Sequence, residues 1–138
     1  MLATAVLMAA VVAVPEGHLE RGRCSAVGVR STQVSDRRQA PLVFSATQVT
    51  DLELYAQALG SAPRALRFEL YTPSGHLYQS LTAEPLTQAR RRGAVRATLP
   101  VAGTFIMTSA LFGAWRVEPH FAGDSKPCGP PTRFVIRP

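Results

Sequence analysis

The sequence predicts an all-β fold, an antiparallel β-sandwich built from seven to nine short strands. Three observations support this prediction. Apolar and polar residues alternate with a period of two in one segment after another, turns that contain Pro or Gly separate these segments, and no helical pattern extends beyond a turn or two. Because half-buried strands alternate in this way, regularly spaced short strands of this kind are typical of sandwiches and barrels.

The clearest strands lie in the middle of the chain. DLELYAQAL (51–59) and ALRFELY (65–71) each place apolar residues at every second position. Between the second of these and HLYQSL (76–81) lies TPSG (72–75), which has Pro and Gly at the positions that a type I turn prefers. The sequence therefore predicts a hairpin here.

Shorter segments complete the predicted sandwich. They are SAVGVR (25–30), PLVFSAT (41–47), AVRATL (94–99), TFIMTS (104–109), AWRVEPHF (114–121) and TRFVIRP (132–138). In the stretch from Gly103 to Phe121, alternation predicts that Trp115 and Val117 face the core while His120 faces water. This stretch is therefore predicted to be core, formed by two strands about a turn, and not catalytic machinery.

Four of these segments carry a resemblance to a known family. The order FELYTPSGHLYQ, LPVAGTF, GAWRVEPHF and FVI resembles the later strands of small immunoglobulin-like or fibronectin-like domains from exported bacterial proteins, over residues 50–138. The resemblance implies an immunoglobulin-like sandwich with a binding or structural role. Trp115 comes late and the two cysteines are far apart compared with antibody-type domains, so no site residue is carried over.

The first thirteen residues, MLATAVLMAAVVA, have the character of an export signal. They carry no charge, are too short to span a bilayer, and end in a small-residue pattern that signal peptidase accepts. We predict a signal peptide over 1–13 and a single domain over 14–138, with the mature chain beginning between about Val14 and Gly17 and located in the periplasm or outside the cell. No transmembrane segment is then expected after signal removal. The alternative is a buried N-terminal helix or strand.

The two cysteines, Cys24 and Cys128, allow one pairing. In an oxidising compartment the simplest prediction is a disulfide between them, whereas two buried free thiols would be expected if the chain is not exported.

The formal net charge of +6 does not indicate nucleic-acid binding. A nucleic-acid surface would show clustered basic residues with interleaved aromatics, and Arg90 to Arg92 form the only basic run. Specific nucleic-acid binding is not expected, whereas attraction to anionic envelope polysaccharide is physically reasonable.

Catalytic and metal-binding motifs are absent from the sequence. His18, His76 and His120 are widely separated, so no local metal motif and no cofactor is expected, although His76, Glu118 and His120 could meet in space. No Gly-x-Ser-x-Gly elbow occurs, and Ser74 beside His76 is ordinary turn chemistry. The protein is not expected to be an enzyme, with a hydrolase or metal protein whose site assembles from distant residues as the alternative.

A surface patch is the best candidate site. Aromatic and arginine side chains favour binding, and six residues are predicted on outward strand faces or turns: Tyr55, Arg67, Tyr71, His76, Tyr78 and His120. The sequence thus favours a small exported binding or assembly module for a protein, glycan or envelope component. A purely structural accessory domain that pairs through a sheet edge is the other possibility.

Overall fold

Ten strands and one helical turn form in residues 23–33, 42–60, 64–86 and 93–138, the part of the chain that the computed structural model describes. In chain order they are β1 (Arg23–Cys24), β2 (Gly28–Ser31), β3 (Val43–Ser45), β4 (Asp51–Leu59), β5 (Leu66–Tyr71), β6 (Leu77–Thr82), β7 (Glu84–Pro85), β8 (Ala94–Pro100), α1 (Phe105–Thr108), β9 (Gly113–Phe121) and β10 (Thr132–Arg137). Two of the ten strands, β1 and β7, have only two residues.

The strands form two five-stranded sheets, which confirms the predicted β-sandwich. The first sheet has the order β1-β4-β8-β7, with β2 also paired to β4, and the second has the order β3-β10-β9-β5-β6. Their inner faces share one apolar core. On β5 every second residue enters that core, since Leu66, Phe68 and Leu70 are buried.

The predicted hairpin forms between β5 and β6. Gly75 donates its backbone N–H to the Thr72 carbonyl oxygen at 2.9 Å, and Gly75 has φ of +85°, a left-handed conformation that favours glycine. The register shifts between Leu70 and Tyr71. This irregularity changes which β6 residues face inward, so Tyr78, predicted to point outward, instead packs against the core.

The segment TFIMTS is a helical turn, so the predicted strand at 104–109 is wrong. The Thr104 side chain accepts a hydrogen bond from the Ile106 N–H and caps the four-residue helix α1. Ile106 is fully buried while Phe105 is 64% exposed. The burial of Ile106 and the N-cap at Thr104 thus outweigh the strand propensity of this apolar segment.

The second sheet is mixed, whereas an antiparallel arrangement was predicted throughout. β3 pairs parallel to β10, with Val43 opposite Val135 and Phe44 opposite Ile136. All other pairings are antiparallel in the described part of the chain. β3 is far in sequence from β10, so no hairpin constrains their relative direction.

The predicted disulfide is present between Cys24 and Cys128, with the two Cα atoms 5.4 Å apart. It links β1 to the loop before β10, where the Cys24 N–H also donates to the Cys128 carbonyl oxygen at 3.2 Å. The predicted signal peptide and the arginine run lie outside the described residues. The described part of the chain contains no helix with the length and apolar character that a membrane span requires.

Candidate functional site

A cluster of six polar side chains lies on the outer face of the second sheet. β5 carries Arg67, Glu69 and Tyr71 at alternate positions, and β9 carries Arg116, Glu118 and His120 in the same spacing. Since the strands are antiparallel, Arg67 pairs with His120, Glu69 with Glu118 and Tyr71 with Arg116. These six residues are called the charged cluster below.

The two glutamates lie directly opposite each other, an arrangement that is destabilising unless positive groups compensate. Two arginines provide the compensation. Arg67 Nη2 lies 3.2 Å from Glu69 Oε1, and Arg116 Nε lies 3.4 Å from Glu118 Oε1. The Arg116 guanidinium also lies over the Tyr71 ring, 4.3 Å from its centroid.

His120 is buried at 1% exposure, so its predicted exposure to water is wrong. Its Nε2 lies 3.1 Å from Glu69 Oε2 and 3.3 Å from Glu118 Oε2. Arg67, its partner across the strands, donates hydrogen bonds to the Phe121 and Asp124 carbonyl oxygens at 3.0 and 2.6 Å. Glu69, Glu118 and Arg67 thus surround the His120 ring, which the alternating pattern alone would leave exposed to water.

The environment of Glu69 favours its ionised form. Partial burial raises the pKa of the Glu69 carboxyl, but hydrogen bonds from Tyr71 and Arg67 lower it, and the resulting pKa lies below its ordinary value. The Tyr71 hydroxyl donates to Glu69 Oε2 at 2.8 Å, and this bond raises the pKa of Tyr71. The network therefore holds Glu69 as a carboxylate at neutral pH.

We expect Glu69→Gln to lower stability at neutral pH but to have less effect in acid. The pKa of Glu69 is depressed in the folded state, so its contribution is fully present above the unfolded pKa and is lost as pH falls through the folded value. Urea unfolding of both proteins between about pH 7 and pH 3 measures this difference. A difference that grew toward low pH would contradict the assignment.

The structure brings together three of the six predicted patch residues, Arg67, Tyr71 and His120. Tyr55 lies on the first sheet, where Arg30 covers its ring at 5.0 Å from the centroid. His76 is exposed in the hairpin turn, and Tyr78 packs edge-on against Trp115 with ring centroids 5.2 Å apart. Binding by any of these residues remains a prediction.

Sequence reasoning left Glu69, Glu118 and Arg116 out of the patch. The signal that could have found them is the repeated spacing, Arg-x-Glu-x-Tyr on one strand and Arg-x-Glu-x-His on the other. The alternative that His76 joins Glu118 and His120 is wrong, because Glu69 occupies that place. Ser74 hydrogen bonds to Thr72 through the two hydroxyls at 2.9 Å, an ordinary turn contact.

A second feature of the molecule is the edge of the second sheet at β6. Within the described residues, β6 pairs only with β5, so the backbone groups on its other side have no strand partner. Next to it is an open groove of about 410 Å³. Residues from both sheets line the groove: Thr32, Glu53, Leu81, Thr82, Glu84, Arg96, Ala97 and Thr98. The side of the sandwich between β6 and β8 is thus open.

No protein-family model matches the chain, and the search of curated proteins finds no match. Among solved structures, the chain is similar to a chain from the work described as "Structural basis of T cell specificity and activation by the bacterial superantigen toxic shock syndrome toxin-1", at a TM-score of 0.40 and 10% identity. The match covers 80% of this chain and 98% of that chain. A likeness at this level does not show a shared function.

Proposed function

We propose that this chain is an exported, non-catalytic binding module of immunoglobulin-like type, and that it recognises a protein by accepting an extended segment of that protein at the β6 edge. The proposal rests on the sequence of β6 and on its position at the edge of the sheet. It is a six-residue edge strand, LYQSLT, with no charged residue and no proline. Leu77 at its start is 55% exposed.

The other edge strands are protected in ways that β6 is not. Proteins commonly blunt sheet edges with charges, prolines or very short strands, because an unpaired edge can pair with another chain. β7 at the edge of the first sheet is the dipeptide Glu84–Pro85, which combines all three features. β3, at the far edge of the second sheet, has three residues. β1 and β2, at the other edge of the first sheet, have two and four residues and carry Arg23 and Arg30. β6 therefore stands out among the described strands as an edge that can accept a partner.

Addition of a strand would use backbone groups for affinity and side chains for selectivity. Alternate N–H and C=O groups of β6 point away from β5 and can bond to a guest strand. Each such hydrogen bond contributes about 0.5 to 1.5 kcal/mol net. Leu81 and Thr82 also line the neighbouring groove, where guest side chains would lie.

The export part of the proposal is supported by the disulfide, since such bonds persist in oxidising compartments. A structural accessory domain would use the same β6 edge inside a larger complex. A glycan ligand would instead be expected to contact an exposed aromatic ring such as Tyr55 on the first sheet.

We expect the double variant Leu77→Lys, Ser80→Lys to lose partner binding by at least about tenfold, because charges on an edge strand oppose pairing and a loss of about 1.4 kcal/mol is tenfold. Immobilised parent protein would first capture partners from cell-envelope extract. The affinity of each identified partner would then be measured for the parent and for the double variant.

Ala102→Lys, Phe105→Lys is the matched control, because it adds the same charge at exposed positions away from β6. It should bind as the parent does. Equal binding by all three proteins, or loss confined to the control, would refute the assignment of the β6 edge.

A further inference from the structure

We propose that Glu69, Glu118 and His120 bind a divalent transition-metal cation of the Zn²⁺ class on the outer face of the second sheet. This site is separate from the β6 edge and does not depend on the proposed function. Each residue offers one ligand atom, and the three atoms lie within 4.8 Å of one another.

The spacing of the ligand atoms suits a small tetrahedral ion. Zn²⁺ binds imidazole nitrogen and carboxylate oxygen at about 2.0 to 2.2 Å, so neighbouring ligand atoms around it are roughly 3.3 Å apart. His120 Nε2 lies 3.1 Å from Glu69 Oε2 and 3.3 Å from Glu118 Oε2. One nitrogen and two oxygens favour zinc or a similar metal over Ca²⁺ and Mg²⁺, which prefer oxygen ligands alone.

The second oxygen of each carboxylate, Oε1, contacts an arginine. Arg67 contacts Glu69 Oε1 and Arg116 contacts Glu118 Oε1, so in each glutamate it is the Oε2 atom that faces His120. Tyr71 also donates to Glu69 Oε2. Such outer contacts orient ligands, and their removal typically weakens metal binding by about 10 to 100-fold.

A second observation concerns the burial and orientation of His120. Its imidazole is buried, and in the part of the chain that the structure describes its side-chain polar contacts are those of Nε2 with Glu69 and Glu118. Nε2 is therefore the nitrogen that faces the place where the ion would lie. Ligation through Nε2 would leave the proton on Nδ1, which has no hydrogen-bond partner among the described residues.

Calorimetric titration of the untagged, chelator-treated chain with ZnCl₂ tests the proposal. We expect one equivalent of Zn²⁺ to bind, and Glu118→Gln and Glu69→Gln each to weaken binding at least about tenfold. Tyr71→Phe, which keeps all three ligands, should weaken it less than either. Near-UV circular dichroism from Trp115 would verify that each variant is folded.

Two controls separate this site from incidental binding. Glu53→Gln alters a half-buried glutamate that is likewise paired with an arginine, Arg30, but on the first sheet. His76→Ala removes an exposed histidine. Both variants should bind zinc as the parent does. Absence of zinc binding would show that the cluster is an ion-pair network alone, and binding that survives Glu118→Gln or is lost in a control would place the ion elsewhere; each result overturns the proposal.

Discussion

A Trp115→Ala variant is expected to be unfolded or barely folded at room temperature. The Trp115 side chain is fully buried, packs edge-on against Tyr78 and stacks on Phe134 at 6.2 Å between centroids. Its Nε1 donates to the Leu111 carbonyl oxygen at 2.9 Å. Truncation of a buried aromatic side chain costs about 3 to 5 kcal/mol, a large part of the roughly 5 to 15 kcal/mol that stabilises a typical domain. Urea unfolding followed by far-UV circular dichroism measures the change.

Phe105→Ala is the matched control from the same stretch. Phe105 is 64% exposed, so its truncation should change stability by less than about 0.5 kcal/mol. His120→Ala, which alternation alone predicts to be nearly silent, is now expected to destabilise the protein because the ring is buried. A Trp115→Ala protein that unfolded at the same urea concentration as the parent would contradict the assignment of this stretch to the core.

The second large effect concerns the disulfide. Cys24 and Cys128 are separated by 104 residues, and in the chain-entropy model a loop of about that size stabilises the fold by roughly 4 to 5 kcal/mol through the unfolded state. The double variant Cys24→Ala, Cys128→Ala should therefore lose most of that amount in urea unfolding. Part of the loss also reflects the buried position of Cys24.

Reduction of the parent protein provides the control for side-chain truncation. Reduced parent and double variant should have similar urea midpoints, both well below that of the oxidised parent. Non-reducing peptide mapping should recover the Cys24–Cys128 peptide from exported protein. Unchanged stability after complete reduction would mean that the cross-link does not constrain the unfolded chain.

The parts of the fold that could be predicted are those determined by local patterns. β4 and β5 alternate so regularly that their buried faces follow from the sequence, and the turn at 72–75 has its own chemistry. The terminal strand β10 likewise buries Phe134 and Ile136 as predicted. In each case one face meets the core and no distant segment changes the pattern.

The parts that could not be predicted depend on distant contacts. Helix α1 is stabilised by a cap at Thr104 and by burial of Ile106 within the shared core. The parallel pairing of β3 with β10 joins segments some ninety residues apart, and the register shift beside Tyr71 reverses the orientation of Tyr78. The period-two pattern cannot reveal these three features, because it assumes an unbroken strand with one solvent-exposed face.

The dependence on distant contacts also explains why the sequence predicted only part of the candidate site. Alternation correctly placed Arg67, Tyr71, Glu118 and His120 on one side of their strands. It could not show that β5 and β9 are neighbours, and therefore that Glu69 meets His120. Burial of His120 follows from this pairing and from the loop beyond β9.

Hydrogen–deuterium exchange of the protein, alone and saturated with a captured partner, tests the β6 proposal most directly. An added strand would bond to the outward N–H groups of β6, which lack a strand partner in the described part of the chain. We predict that exchange slows selectively in peptides covering Leu77–Thr82 and stays the same over Tyr55 and over β3. Slowing at Tyr55 or on the outer sheet faces, with β6 unchanged, would contradict the proposal that this protein binds its partner through an open sheet edge.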